Sequence, residues 1–201
     1  MDISSGEPDL VETVNQYAID YLDPEKIAVI LNEWLADDLI SNDKKPLLEC
    51  AINHHLNEDY YASTSILMCL VEDLIEDCDS EFNALASCNE EGLEYVAKHL
   101  GLNNGIVDRR KRGYAKDQLA AIAYGVESAI YYWEASAKYI ATITLANNPN
   151  EDLYSSNPLR NKICHGSQVN YGTVVHSLKT ILAVDLLIRL SRSFKGNSNK
   201  E

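Results

Sequence analysis

Apolar residues recur three and four positions apart along almost the whole chain, and nowhere do they alternate strictly with polar ones. That period lines them up on one side of a helix, whereas a half-buried strand needs a period of two. The chain therefore reads as all-α. Residues 9–22 form a first amphipathic segment. Asp23-Pro24-Glu25 is a helix start: a capping carboxylate, a proline where no N–H is needed, and an acid that suits the dipole. Ile27, Ile30, Leu31, Trp34, Leu35 and Leu39 follow at helical spacing. Residues 43–56 make a third helix, with Leu47, Leu48, Ala51, Ile52 and Leu56 on one side. Beyond Asn57-Glu58-Asp59 an apolar helix spans 60–75, with Ile66, Leu67, Leu70, Val71 and Leu74 inward. Shorter helices are expected over 79–88 and 90–100, a loop over 102–113 and a long helical stretch over 115–146. A last helix opens at Thr173, with Leu178, Ile181, Leu182, Leu186 and Leu190 on its core face, and the polar residues after Phe194 are expected to fray.

The 201 residues suffice for one domain with a full core. No apolar run approaches the ~20 residues that span a bilayer, so no membrane association is expected. The N-terminus has neither a basic start nor an apolar h-region, and a cytoplasmic protein is expected. The five cysteines are odd in number and lack C-x2-C spacing, which argues against a disulfide framework or a zinc cluster. Cys50 and Cys69 fall within apolar patterns and read as small core residues. No metal and no cofactor is expected.

Charge divides the chain. Residues 1–100 carry 4 Lys and Arg against 23 Asp and Glu, or −19. Residues 101–201 carry 13 against 8, or +5, which together recover the net −14. An acidic surface repels nucleic acid, but the second half is mildly basic. Its densest cluster is Arg109-Arg110-Lys111-Arg112, which suits RNA phosphates, although four consecutive charges equally fit a solvated loop.

The basic half also holds Asn157-Pro158-Leu159-Arg160-Asn161-Lys162-Ile163-Cys164-His165-Gly166. Asn157 can cap, and Pro158 open, a helix of about two turns that stops at Gly166. Asn161 and His165 are four apart and share a face, while Arg160 points about 100° round. A histidine moves protons near neutral pH. A guanidinium clamps a phosphate and stabilises charge in its transition state. An amide can orient either. RNA brings its own nucleophile, the 2′-hydroxyl, so such a set needs no metal. Cys164 is expected to point away from the site into the core. His54 and His55 lack a third ligand, and His99 suits a helix C-terminus. His176 lies in the first turn after Thr173. Tyr60, Tyr61, Tyr131, Tyr132 and Trp133 fit core or interface better than base stacking.

Arg160-Asn161-x-x-x-His165-Gly166, followed by a loop and a leucine-rich last helix, resembles the signature of HEPN-domain proteins. The upstream stretch Leu48-Glu49-Cys50-Ala51-Ile52 through Val71-Glu72-Asp73-Leu74-Ile75 is similar to the paired helices of abortive-infection relatives. The resemblance covers residues 43–194 and implies a helical bundle of seven to nine helices. Residues 1–42 would be N-terminal helices packed on it, and 195–201 a disordered tail. It also implies a homodimer whose two motifs share one cleft, and a metal-independent endoribonuclease in a toxin–antitoxin or phage-defence setting. Arg160 would stabilise the transition state, His165 handle the proton and Asn161 orient groups in the cleft. Glu72 stands at a position that faces the motif in some relatives. Arg109, Arg110, Lys111, Arg112 and Lys162 would hold RNA, and an antitoxin or other protein partner is expected. Some relatives are catalytically silent. The acidic first half equally fits such a binding module, recognising a protein partner or a nucleotide.

Overall fold

A computed structural model describes residues 10–38, 40–86 and 157–198. These are all-α: six helices and no strand among the described residues. The helices are α1 (Leu10–Tyr21), α2 (Pro24–Leu35), α3 (Lys45–Leu56), α4 (Tyr60–Ala86), α5 (Arg160–Cys164) and α6 (Val174–Ser198). The helices expected over 90–100 and 115–146 and the loop over 102–113, with its Arg109–Arg112 cluster, lie outside the described residues. So do Tyr131, Tyr132, Trp133 and His99.

The start of α2 follows its sequence. Asp23 accepts a hydrogen bond from the backbone N–H of Lys26 at 2.8 Å, and Pro24 opens the helix. α3 begins at Lys45, two residues later than expected, and has no side-chain cap. Lys44 is instead drawn to α4, where it pairs with Asp73 at 2.6 Å and with Asp77. Burial works against its charge, but the two carboxylates outweigh that and hold the ammonium pKa above its usual value. Leu47 and Leu56, expected inward, are exposed; Leu48, Ala51, Ile52 and His55 form the buried face.

α4 is one helix of 27 residues, where two were expected. Glu76-Asp77-Cys78-Asp79 interrupts the apolar stripe but contains neither Gly nor Pro. An acidic run of that kind changes which face is apolar without breaking the backbone hydrogen bonds. α6 likewise continues to Ser198, past Phe194. Its start is capped as expected: Thr173 Oγ1 accepts from the His176 N–H at 3.2 Å.

The core is the seam between α4 and α6, with α3 against α4 and α2 across the far end of α6. Leu67, Met68, Val71 and Ile75 of α4 meet Leu178, Ile181, Val184 and Ile188 of α6, all with at most 2 % exposure. Ser63 and Ser177 keep the two helices close where they cross. Ser177 donates to Ser63 Oγ at 2.9 Å and meets His55 Nδ1 at 2.8 Å. Burial pushes the His55 pKa below its usual value. Trp34 of α2 is fully buried and donates to Asp185 of α6 at 3.0 Å. No helix among the described residues is long and apolar enough to cross a membrane.

Candidate functional site

Tyr61, Ser65, Cys69 and Glu72 are spaced four, four and three apart, so they form one stripe along α4. The chain from Arg160 to Gly172 lies antiparallel on that stripe. Arg160 Nη2 meets Glu72 Oε2 at 2.6 Å. Farther along, Cys164 lies beside Cys69. Tyr171 and Ser65 share a hydrogen bond of 2.9 Å, and Tyr61 donates to the Val169 carbonyl at 3.1 Å. The rings of Tyr61 and Tyr171 meet edge to face at 5.0 Å. Gly172 sits so close to the Tyr61 ring that a Cβ there would overlap it.

The helix expected to open at Pro158 opens at Arg160 and has five residues, with Leu159 at its N-cap. Asn157 does not cap it. Its Oδ1 accepts from Lys179 Nζ of α6 at 3.1 Å. Gln168 closes the segment into a ring: its Oε1 accepts from the Leu159 N–H at 2.9 Å, and its Nε2 donates to the Asn157 carbonyl at 3.0 Å. Leu159 and Ile163 are buried and tie the ring to the core. At the far end His165 is the C-cap, and Gly166 takes φ +71°. That conformation lets the N–H of Gly166 reach the Ile163 carbonyl at 3.0 Å and that of Ser167 reach the Lys162 carbonyl at 2.8 Å.

Within this frame Arg160 is held from two sides. Besides Glu72, Asn161 Oδ1 accepts from its Nη1 at 3.0 Å. Asn161 thus orients the arginine, and its backbone carbonyl accepts the His165 N–H at 3.0 Å. The Arg160 side chain is 20 % exposed, and its buried Nε has no hydrogen-bond partner among the described residues. Among the described residues, two of the five guanidinium N–H donors are engaged, by Glu72 and Asn161. Donors on Nη1 and Nη2 remain for an incoming oxyanion, which must share the cation with Glu72. His165 is exposed and Lys162 half-buried.

The expected set Arg160, Asn161, His165 and Glu72 therefore sits on two touching helices. His176 is buried, with Nδ1 at 2.6 Å from Thr173 Oγ1, and is not part of the exposed surface. His54 pairs with Asp59 at 3.0 Å. Tyr60 packs against the His55 ring, while Tyr61 is half exposed. Three cysteine expectations are corrected: Cys50, Cys69 and Cys164 are exposed, not core. α4 and α5 each present a thiol at their shared edge. Among the described residues no three His, Cys, Asp or Glu side chains group as metal ligands.

Sequence reasoning missed Gln168 and Lys179. Gln168 lies in a polar loop without periodicity, and its two hydrogen bonds exist only once the ring closes. Lys179 left a signal. It stands three after His176 and four before Ala183, both buried, so helical spacing places it inward. Burial lowers its pKa from 10.5 to about 8.

Comparison with protein-family models, with curated protein sequences and with solved structures finds no match for this chain.

Proposed function

We propose that the protein is a HEPN-like endoribonuclease that cleaves RNA without a metal, acting as a homodimer. The observation that carries this reading is Arg160, steered by Glu72 and Asn161, five residues before an exposed histidine that caps the C-terminus of the same short helix. Arg160 binds the scissile phosphate and stabilises the charge that builds on it. His165 takes the proton from the 2′-hydroxyl as that oxygen attacks phosphorus. The 5′-oxygen leaves with a proton, giving a 2′,3′-cyclic phosphate and a 5′-hydroxyl. A second copy of the chain supplies a second Arg160 and His165, so one histidine acts as base and the other as acid. A toxin–antitoxin or phage-defence role, with RNA bound by Lys162 and the Arg109–Arg112 cluster, fits this chemistry.

The test is RNA cleavage in EDTA by wild type, Arg160→Ala and His165→Ala, with analysis of the product ends. Cutting that yields cyclic phosphates and disappears in both variants is the expected result. Equal cutting by His165→Ala sinks the catalytic assignment.

Two observations favour a second reading. Glu72 already occupies Arg160 at 2.6 Å, and the first half of the chain carries −19. A catalytically silent module that recognises a basic protein partner needs no free arginine. Salt-sensitive capture of such a partner by a folded, dimeric protein without nuclease activity is the result that selects it.

A further inference from the structure

α4 and α5 are joined by more than the Arg160–Glu72 pair. Three residues before Glu72 and four after Arg160, the same antiparallel alignment brings Cys69 and Cys164 together. Both thiols are free and exposed, and they are neighbours across the seam. Neither has a part in the phosphodiester chemistry. Their α-carbons are 95 residues apart in sequence, yet the backbone around them is fixed on both sides. On one side is the 2.6 Å ion pair; on the other are the Tyr171–Ser65 and Tyr61–Val169 hydrogen bonds. A disulfide demands specific placement of two α-carbons and two β-carbons, and two neighbouring thiols on a clamped seam need little movement to reach it.

We infer that Cys69 and Cys164 are a reversible oxidation site, closing to an intramolecular disulfide in response to hydrogen peroxide and locking the motif helix onto α4. One thiol, as its thiolate, attacks a peroxide oxygen; the O–O bond breaks, hydroxide leaves and takes up a proton, and a sulfenic acid forms. The second thiol attacks the sulfenic sulfur, the S–O bond breaks, and a second water departs with the thiol proton. Two electrons pass from the two sulfurs to the peroxide. A dithiol reductant reverses the change by exchange. In a reducing compartment such pairs are transient sensors rather than permanent staples. The site does not depend on the nuclease reading, because the seam is the same whether the motif cleaves RNA or only binds.

Peptide mapping of the full-length protein tests this. Cleavage after Glu gives Cys50, Cys69, Cys78 and Cys88 separate peptides (50–58, 59–72, 77–81 and 82–90), and trypsin isolates Cys164 in 163–179. The native protein is treated with hydrogen peroxide, quenched with N-ethylmaleimide and digested with both proteases. The expected product is 59–72 joined to 163–179, two hydrogens lighter than the sum and dominant over every other pair. It disappears on treatment with dithiothreitol, in Cys69→Ser and in Cys164→Ser. The oxidised chain also melts several degrees higher than the reduced one. Cys164 found as its maleimide adduct or sulfinic acid, paired with another cysteine, or bridging two chains on a non-reducing gel overturns the site. A crosslinked chain that melts no higher than the reduced one overturns the locking. The wild-type map alone decides the pairing, even if a serine variant fails to fold.

Discussion

Arginines tie helices together in two regions of this molecule, the α2–α6 junction and the α4–α5 seam, and the two are built differently. At the junction of α2 and α6, Arg189 meets Asp185 at 2.7 Å and Glu33 at 3.0 Å. Arg192 pairs with Asp37 and donates to the Glu33 carbonyl at 2.6 Å. Asp185 also accepts from the buried Trp34. Every acceptor there serves the packing of α2 on α6. At the α4–α5 seam, Arg160 has one carboxylate and one neighbouring amide, and its Nε is buried without a partner among the described residues. A buried polar atom left unpaired costs about 1–3 kcal/mol. Structural arginines avoid that cost; arginines that must greet a ligand tolerate it.

The sharpest way to break this comparison is to remove each arginine in turn. Arg192→Met strips the guanidinium from Asp37, whose side chain is only 7 % exposed. It is expected to lower stability by about 2–4 kcal/mol in urea unfolding. Arg160→Met faces Glu72, which is 42 % exposed and can turn to water. Its expected cost is within about 1 kcal/mol, with cleavage lost altogether. If both variants lose stability equally, Arg160 is a packing residue and the contrast fails.

A smaller effect separates the two regions by pH. α6 serves both: its later turns pair charge with charge, whereas Lys179, nearer its start, is buried against the amide of Asn157. Its pKa is about 8 folded, against an ordinary 10.5. Between those values the unfolded chain binds more protons than the folded one, so stability rises with pH across that window. Below about pH 8 both states are protonated and the cost of the buried charge is constant. The expected result is that unfolding free energy of wild type gains on that of Lys179→Met from about pH 8 to 10.5. A flat difference would mean that the amine is solvated.

What the sequence made legible follows the same division. Local chemistry could be read directly: Asp23 and Pro24 start α2, Thr173 caps α6, and helical spacing finds the apolar faces of α4 and α6. Arg160, Asn161 and His165 were legible because they lie within one turn and a half of each other. Contacts that depend on register between distant segments were not. The thiols of Cys69 and Cys164 look apolar in their own helices, and only the antiparallel seam shows both exposed and together. The expected break near residue 76 failed for a related reason. Acidic residues end an apolar stripe, but the Asp77 carboxylate is claimed by Lys44 at the N-cap of α3, and α4 continues.

The smallest predicted effect compares two helix ends that solve one problem with different residues. α5 is followed by Gly166 at φ +71°, whereas α3 turns into α4 through Glu58 at φ +62°. Both are left-handed, a conformation that costs an L-residue with a Cβ roughly 1 kcal/mol. Glu58 is exposed and its N–H still reaches the His55 carbonyl at 3.0 Å, so the backbone is satisfied and only the strain remains. Glu58→Gly is therefore expected to gain up to about 1 kcal/mol, less whatever the more flexible unfolded chain takes back. Gly166→Ala should lose a similar amount for backbone reasons alone, because a Cβ there meets nothing within 4 Å. Urea midpoints of the two variants check both signs. A Gly166→Ala protein of unchanged stability but lower cleavage would show that the turn matters for the placement of His165 rather than for holding the helix end.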